Sequence, residues 1–398
     1  MKARLGLSDV AERLGSVVSD VWKIPYSAAR LQQQGFDVIR LCVGDPDFDT
    51  PHAVHSAVTE SLRQGRTHYS SAQGEPELRK AIAESEFMTS GQPCDPDNIV
   101  VFPGGTNALY GVLNCLLNAG DELIVPDPMY IGYCGIFASV GCRVTRVPLK
   151  VSDNFSIDID DIEAAISDKT RAVLVNTPGN PAGNMVTSAQ LARLAEFCLE
   201  RGIWLISDEV YSMITFEKQH ISLHAAAKAP DNVIIVNSMS KSHAMSGWRM
   251  GWAVAPPGLV PSLVSFSDST LFGCAPFVQD AAAFALRNNK DNVADMQEEY
   301  RRRRDYVVSR VSVTDNIRCY PPAAGMFVMV DVSATGLDGN QFGQALLEEQ
   351  KISIVPGGGF GASTSDFVRV TLAQPIEVLS EAFDRIETFI DRRCKNAT

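Results

Sequence analysis

Between Val233 and Ser267 the chain carries only two charged residues, Lys241 and Arg249, in a stretch that otherwise reads as buried. Burying two cations with no carboxylate nearby is costly unless something anionic meets them. A ligand with a phosphate for the arginine and an aldehyde for the lysine meets both needs, which points to pyridoxal 5′-phosphate (PLP). Burial beside a second cation lowers the pKa of a lysine, so more of Lys241 is the neutral nucleophile near neutral pH. Ser238, Ser240 and Arg249 could donate to a phosphate, the arginine through a charge-assisted fork. The plainer alternative is a lysine and an arginine that point to solvent from a loop and an edge strand.

Ligands of parallel sheets bind at the carboxyl ends of strands, and the ends of four further apolar runs suit the same molecule. After Ile99–Phe102 comes PGGTNAL, where a helix start at Gly105 and Thr106 offers backbone N–H groups and a hydroxyl to a phosphate; such a turn can also be purely structural. After Glu122–Pro126 comes DPMYIGY, whose Tyr130 could lie flat on a heteroaromatic ring or pack in the core. After Arg171–Asn176 comes NTPGNPAGN, in which Asn180 could donate to a phenolate or carboxylate oxygen. After Ile203–Ser207 comes DEVY. An ionised Asp208 at the end of so apolar a strand is costly unless paired. A protonated ring nitrogen would pair with it and keep the ring an electron sink, and Tyr211 could reach the ring oxygen. Each feature alone has an ordinary structural explanation; their joint appearance in this order does not.

The elements that must position these residues follow from periodicity. From about residue 99 short apolar runs alternate with amphipathic helices. Strands are expected at Ile99–Phe102, Glu122–Pro126, Cys142–Val147, Arg171–Asn176, Ile203–Asp208, Val233–Asn237 and Arg249–Ala255. Helices are expected at Thr106–Leu117, Ile131–Val140, Ile159–Ile166 and Ser188–Arg201. This alternation predicts an α/β fold with a mostly parallel seven-stranded sheet between helices, in a large PLP-binding domain over residues 51–289. A smaller α+β domain is expected from both chain termini, residues 1–50 and 290–398. It would hold a long charged helix from Asn292 to about Val311, strands at Met326–Asp331, Ile352–Val355 and Phe367–Thr371, and helices near Gln341–Gln350 and Ile376–Arg392. The Pro-rich DPDFDTP stretch is where the chain would cross between the two.

Composition narrows the classes of function. A length of 398 residues with 45% hydrophobic and 21% charged residues describes an ordinary globular protein of more than one core. The net charge of −12 argues against a nucleic-acid partner, which needs a basic surface. The one basic run, Arg301 to Arg304, has acidic neighbours at helical spacing and reads as a solvated helix face. Nine cysteines without a CxxC pair read as reduced thiols. The first fifteen residues hold no apolar signal core and no run approaches 18 apolar residues, so a cytoplasmic location with no membrane partner is expected. His52/His55 and His220/His224 have helical spacing but no third ligand, so no metal is expected. The GGGFG at residues 357–361 lacks the surroundings of a dinucleotide site.

Taken together, the segments VGDPDFDTP (43–51), HYSSAQGEPELR (68–79), PGGTNAL (103–109), NTPGNPAGN (176–184), SDEVY (207–211), SMSKSHAMSGWRMGW (238–252) and FVRVTLA (367–373) resemble the class I/II aminotransferases of PLP fold type I over essentially the whole chain. The resemblance implies that Lys241 takes the cofactor aldehyde covalently and then shuttles the substrate Cα proton. It implies that Asp208 pairs with the pyridinium nitrogen, that Asn180 and Tyr211 bind the ring hydroxyl, and that Tyr130 stacks on the ring. Gly105, Thr106, Ser238, Ser240 and Arg249 would surround the phosphate, and Arg369 would grip the substrate α-carboxylate with help from Gly44 and Asn180. Tyr69 is similar to the tyrosine that reaches the phosphate of a neighbouring subunit, which implies a homodimer with shared sites. The turn departs from the commoner NPxNPTG wording at Thr177 and Ala182.

The implied reaction is ping-pong transfer of an α-amino group from an amino acid to a 2-oxo acid. A dicarboxylate specialist needs a second cation, and the stretch from Gly258 to Leu286, where such families place it, has no lysine or arginine. The overall wording is most similar to bacterial arginine:pyruvate transaminases, so a non-dicarboxylic donor such as arginine and pyruvate as acceptor are expected from resemblance. Aspartate or aromatic transamination, β-elimination from cysteine-type substrates, and an oxidase or decarboxylase reaction remain alternatives on the same fold. A PLP-sensing regulator would need a fused DNA-binding helix-turn-helix that the sequence does not supply.

Overall fold

A computed structural model describes residues 6–17, 22–227 and 230–397. Its strands, in chain order, are β1 (Ile39–Arg40), β2 (Ile99–Phe102), β3 (Glu122–Asp127), β4 (Arg143–Pro148), β5 (Thr170–Asn176), β6 (Trp204–Asp208), β7 (Val233–Ser238) and β8 (Gly251–Val254). They continue with β9 (Arg318–Cys319), β10 (Phe327–Asp331), β11 (Ile352–Ser353), β12 (Val355–Pro356) and β13 (Phe367–Thr371). Seven of them form one sheet in the order β2-β8-β7-β6-β5-β3-β4. Only β8 runs against its neighbours, antiparallel to both β2 and β7. The fold is therefore α/β with a mostly parallel central sheet.

Both faces of that sheet are dry away from the edge strand β4, which is why the inner strands read as apolar runs. Val101, Val173, Leu205 and Ile235 point into one buried cluster, and Val100, Leu174, Ile206 and Ile234 into the other. Helices Pro76–Ser90, Ser188–Glu200 and Pro276–Asn288 contribute to the first, and Gly105–Leu116, Tyr133–Val140 and Val260–Thr270 to the second. A second, antiparallel sheet has the order β12-β13-β10-β9. It packs with helices Lys290–Val313, Gly339–Gln350 and Ile376–Ala397 around a core that holds Tyr300, Phe342 and Phe383. Strand β1 pairs in parallel with β11. None of the helices among the described residues is long and apolar enough to cross a membrane.

The sequence-based expectations differ from this structure in identifiable places. The strand expected over Ile352–Val355 is two short strands in different sheets, β11 and β12. Helices Val260–Thr270 and Pro276–Asn288 lie where no element was expected; each opens at a proline in its first turn. Arg249 does not begin β8 but precedes it, at the end of a short 3₁₀ turn with φ of 53°. The basic run is only half solvated. Arg303 and Arg304 are buried, the first paired with Asp47 and Glu299, the second with Glu217 and Asp305.

Candidate active site

The carboxyl ends of β2, β5, β6 and β7 share one edge of the central sheet. Because β8 runs the other way, its amino end lies at that same edge, with Gly251 opposite both Phe102 and Ser238. A cavity of about 530 Å³ opens there. It is lined by Gly105, Thr106, Tyr130, Asn180, Asp208, Tyr211, Ser238, Ser240, Lys241 and Arg249 from the expected cofactor set, and by Gly44 and Arg369 from the expected substrate set. Tyr69 is the one expected residue outside it; its ring is 88% exposed and tilts against Phe272 at 5.7 Å.

Lys241 does not lie in an open turn. It sits in a one-turn helix, Met239–Ser242, capped by the Ser238 hydroxyl, which accepts from the Ser240 N–H at 3.4 Å. Its Nζ donates to the Gly44 carbonyl at 2.5 Å. Burial lowers the Lys241 pKa to about 8, with Arg369 and Arg249 pushing the same way and Asp45 opposing. The amine is thus held part-neutral near physiological pH, as a nucleophile or base requires.

The phosphate end is built on close backbone approach. Gly104 has φ of +93°, a conformation that favours glycine, and helix Gly105–Leu116 starts directly after it. The leading N–H groups of a helix have no intrahelical acceptor. A Cβ on Gly251 would lie 2.5 Å from the backbone of Gly104 and Gly105, so only glycine lets β8 lie against this turn. Arg249 donates to the Ser246 and Pro103 carbonyls at 2.6 and 3.3 Å and is exposed in the single chain, contrary to the expectation of burial. Turn geometry explains the difference: a left-handed residue ahead of the strand aims its side chain back over the glycine turn.

Asp208 ends β6 at 7% exposure. Burial raises its pKa to about 6 against the pull of two donors: the Tyr133 hydroxyl at 2.5 Å from Oδ2 and the Val210 N–H at 3.2 Å from Oδ1. No cation pairs with this carboxylate among the described residues, so a protonated ring nitrogen would relieve its burial. Asn176 at the end of β5 donates to the Asp208 carbonyl at 2.9 Å, and its Oδ1 accepts the Asn180 N–H at 2.7 Å. The elaborate turn after β5 is thereby fastened to β6, and Asn180 faces the cavity. Its Nδ2 donates to the Tyr211 hydroxyl at 3.2 Å and its Oδ1 accepts from Arg369 Nη1 at 2.9 Å.

Arg369, on β13, is 4% exposed and lies between aromatic faces, 3.9 Å from the Phe327 ring centre and 4.9 Å from that of Phe360. Phe360 is the aromatic residue of the GGGFG segment, whose role here is packing. Nη2 donates to the Cys42 carbonyl at 3.3 Å, while Nε is buried without a partner. Desolvation draws the Arg369 pKa down to about 10, a burden that a carboxylate ligand would lift.

The donor set therefore fits PLP: an unpaired carboxylate, an amine of lowered pKa, a glycine turn with hydroxyls and an arginine, and an aromatic ring at Tyr130. Two residues escaped the sequence reading. Tyr133 could have been suspected from its position three residues after Tyr130 on the same strand exit; Arg40, in the cavity wall, carried no motif. Among the described residues no cluster of three His, Cys, Asp or Glu side chains is placed to hold a metal ion.

Comparison with known proteins agrees with this chemistry. The family profile Aminotransferase class I and II matches residues 37–386. An arginine–pyruvate transaminase of Pseudomonas aeruginosa is 40% identical over 95% of this chain and 96% of its own. An aspartate aminotransferase of Pyrococcus horikoshii is 33% identical over 89% of this chain and 91% of its own. The solved structure of the Thermus thermophilus aspartate aminotransferase with maleate superposes with a TM-score of 0.91 at 32% identity, covering 97% of this chain and 100% of that one. The chain belongs to the class I and II aminotransferases, PLP-dependent transaminases.

Proposed function

We propose that the protein moves the α-amino group of an amino acid to a 2-oxo acid by alternating half-reactions at the cavity that Lys241, Asp208 and Arg369 line together. One observation carries the reading: an amine of lowered pKa, an unpaired carboxylate and an unsatisfied guanidinium open into the same 530 Å³ space. When bound, PLP supplies an aldehyde that condenses with amines and a pyridinium ring that accepts the electron pair left at Cα. Asp208 keeps that ring protonated, and Asn180 and Tyr211 donate to its oxygen. Tyr130 would offer its ring to the face of the cofactor, and Gly105, Thr106, Ser238, Ser240 and Arg249 would hold its phosphate. Arg369 receives the α-carboxylate, assisted by Asn180 and Gly44, and so fixes which Cα bond faces the lysine. Lys241 Nζ removes the Cα proton and returns it, the duty of a general base whose pKa lies near the working pH.

Two supports bear on the donor and pull apart. Similarity to an arginine–pyruvate transaminase favours arginine or another non-dicarboxylic donor, with pyruvate as acceptor. Similarity to aspartate aminotransferases, and the cation Arg40 in the cavity wall, favour a dicarboxylic donor. Pyruvate as acceptor is compatible with both. The proposal includes a cytoplasmic homodimer in which Tyr69 reaches the phosphate of the other subunit's cofactor; the exposed Tyr69–Phe272 pair is its support. It also includes a division of the chain into a large unit, residues 51–289, and a small one, residues 1–50 and 290–398.

The test is direct. Single amino acids added to the purified holoenzyme should convert the cofactor absorbance to the pyridoxamine form, and a 2-oxo acid should restore it. Lys241→Ala should lose turnover by several orders of magnitude; normal turnover in that variant would end the proposal.

A further inference from the structure

The α-carboxylate grip and the reacting amine are both tied to one short segment. Cys42 offers its carbonyl to Arg369 and Gly44 offers its carbonyl to Lys241. Two residues upstream of Cys42 on the same segment stands Arg40, whose side chain lines the same cavity. Two residues of chain span at most about 7 Å, so the Arg40 side chain starts within reach of a substrate held by Arg369.

Arg40 lacks the carboxylate partners that other arginines with little exposure have. Arg303 is paired with Asp47 and Glu299, and Arg66 with Glu75 and Asp280. Among the described residues no carboxylate pairs with Arg40, and its Nε is buried without a hydrogen-bond partner. Its backbone is fixed instead. Arg40 stands opposite Ser353 in the β1–β11 pair, the Leu41 N–H beside it bonds the Ser353 carbonyl, and the Arg40 carbonyl accepts from Gln374. The cavity that Arg40 lines also holds the apolar side chains of Trp22, Pro25, Ile131 and Val355. Of the two acidic residues in the same lining, Asp45 acts on Lys241 at the other end of the segment and Asp208 is held by the Tyr133 hydroxyl and the Val210 N–H. A lone cation in a cavity wall favours an anionic group and repels a cationic one, more strongly as water leaves the site.

We propose that Arg40 selects the substrate by the charge of its far end, receiving the second carboxylate of a dicarboxylic amino acid and disfavouring cationic donors. It supplies within the chain the second cation that the stretch from Gly258 to Leu286 lacks. The inference rests on the transaminase reading of the cavity and names the substrate class of that same site.

Charge-matched pairs test it. Glutamate and glutamine differ at the far end by one charge at nearly constant shape, as do arginine and citrulline. The holoenzyme should show a higher kcat/KM for glutamate than for glutamine, and for citrulline than for arginine. Arg40→Leu should lower the glutamate-to-glutamine ratio about 10- to 100-fold, the scale of one charge-assisted hydrogen bond, chiefly through KM, and should raise the arginine-to-citrulline ratio. Arg40→Lys should retain the sign of both preferences. Arg40→Gln provides a second neutral side chain should the leucine variant fail to fold. Equal or inverted preferences in the unaltered enzyme, or ratios that Arg40→Leu and Arg40→Gln leave in place, would overturn the assignment. Conversion of the cofactor by neutral amino acids with no charge preference would sink this inference alone, whereas no conversion by any amino acid would sink the transaminase reading itself.

Discussion

The Tyr133 hydroxyl sits 2.5 Å from Asp208 Oδ2, in a buried pair that forms part of the cavity wall. Burial pushes both acids up, Asp208 to about 6 and Tyr133 well above the ordinary phenol value, so the tyrosine is the donor and the aspartate the acceptor. Donation stabilises the ionised carboxylate that a pyridinium nitrogen needs. Tyr133→Phe should weaken PLP retention about tenfold, on the scale of one hydrogen bond to a charged group. It should also move the acid limb of the kcat profile to higher pH, because Asp208 then stays protonated longer. Cofactor release followed by absorbance and a pH profile check both; an unmoved acid limb would mean that the contact only packs.

Lys241 gives a pH dependence of opposite sense. Its folded pKa, about 8, lies below the ordinary lysine value, so between pH 8 and the unfolded value near 10.5 the unfolded chain binds the extra proton. Stability of the PLP-free protein should therefore rise through that window, and Lys241→Met should remove the rise. The rate at which PLP-free protein captures the cofactor should climb with pH around a midpoint near 8, following the free amine. Stopped-flow absorbance at several pH values measures it.

Glu86 is buried away from the cavity, accepts from Trp252 Nε1 at 3.1 Å, and is pushed up to about 7, first by desolvation and then by the charge of Glu209. Native protein binds the extra proton between about 4.5 and 7, so Glu86 makes stability fall as pH rises through that range. Glu86→Gln should flatten the fall and leave the variant more stable than the parent at pH 8, by up to roughly 3 kcal/mol for a shift of this size. Urea midpoints at pH 5 and pH 8 decide the matter.

The central sheet was legible because its inner strands are buried on both faces and announce themselves as apolar runs; the edge strand β4, with Arg143 and Arg146 exposed, is the exception. The residues at its edge were legible because charge and hydroxyls at the ends of such runs are anomalous. Asp208 and Lys241 are of that kind. Helices Val260–Thr270 and Pro276–Asn288 were not legible; small residues such as Ala281, Ala282 and Ala283 bury without a strong stripe. The split of β11 from β12 depends on partners far away in sequence, Ile39 and Arg369, which no local pattern reveals. Tyr133 and Arg40 escaped for a related reason. A tyrosine in a core and an arginine beside a strand are ordinary until the fold sets one against Asp208 and the other in the cavity wall.

Gly251 joins the sheet to the cofactor site through its missing side chain. A Cβ there would meet Gly104 and Gly105 at 2.5 Å and the Asn237 carbonyl at 3.0 Å, all backbone atoms with no rotamer to yield. Gly251→Ala must push β8 away from the turn, which costs about 1–3 kcal/mol as an overpacked contact. PLP affinity should fall more than thermal stability suggests, since the displaced turn is the one proposed to hold the phosphate. Cofactor titration beside a melting curve of the PLP-free variant separates the two effects.

Arg369 reads its ligand by geometry as well as charge. Its guanidinium lies 3.9 Å from the Phe327 ring centre and divides its donors between Asn180 and the Cys42 carbonyl, with Nε unsatisfied. A planar fork stacked on an aromatic face can present two parallel N–H groups to a carboxylate, whereas a lysine ammonium is a point charge that neither stacks nor forks. Arg369→Lys should therefore lower kcat/KM for every amino acid at least tenfold, whatever its side chain, because all share the α-carboxylate. Arg40 variants should instead alter only the ranking of side chains. Steady-state kinetics with alanine, glutamate and glutamine on both variants distinguishes the two arginines. If Arg369→Lys changed the ranking without a general loss, Arg369 would be contacting the substrate side chain, and its assignment to the α-carboxylate would fail.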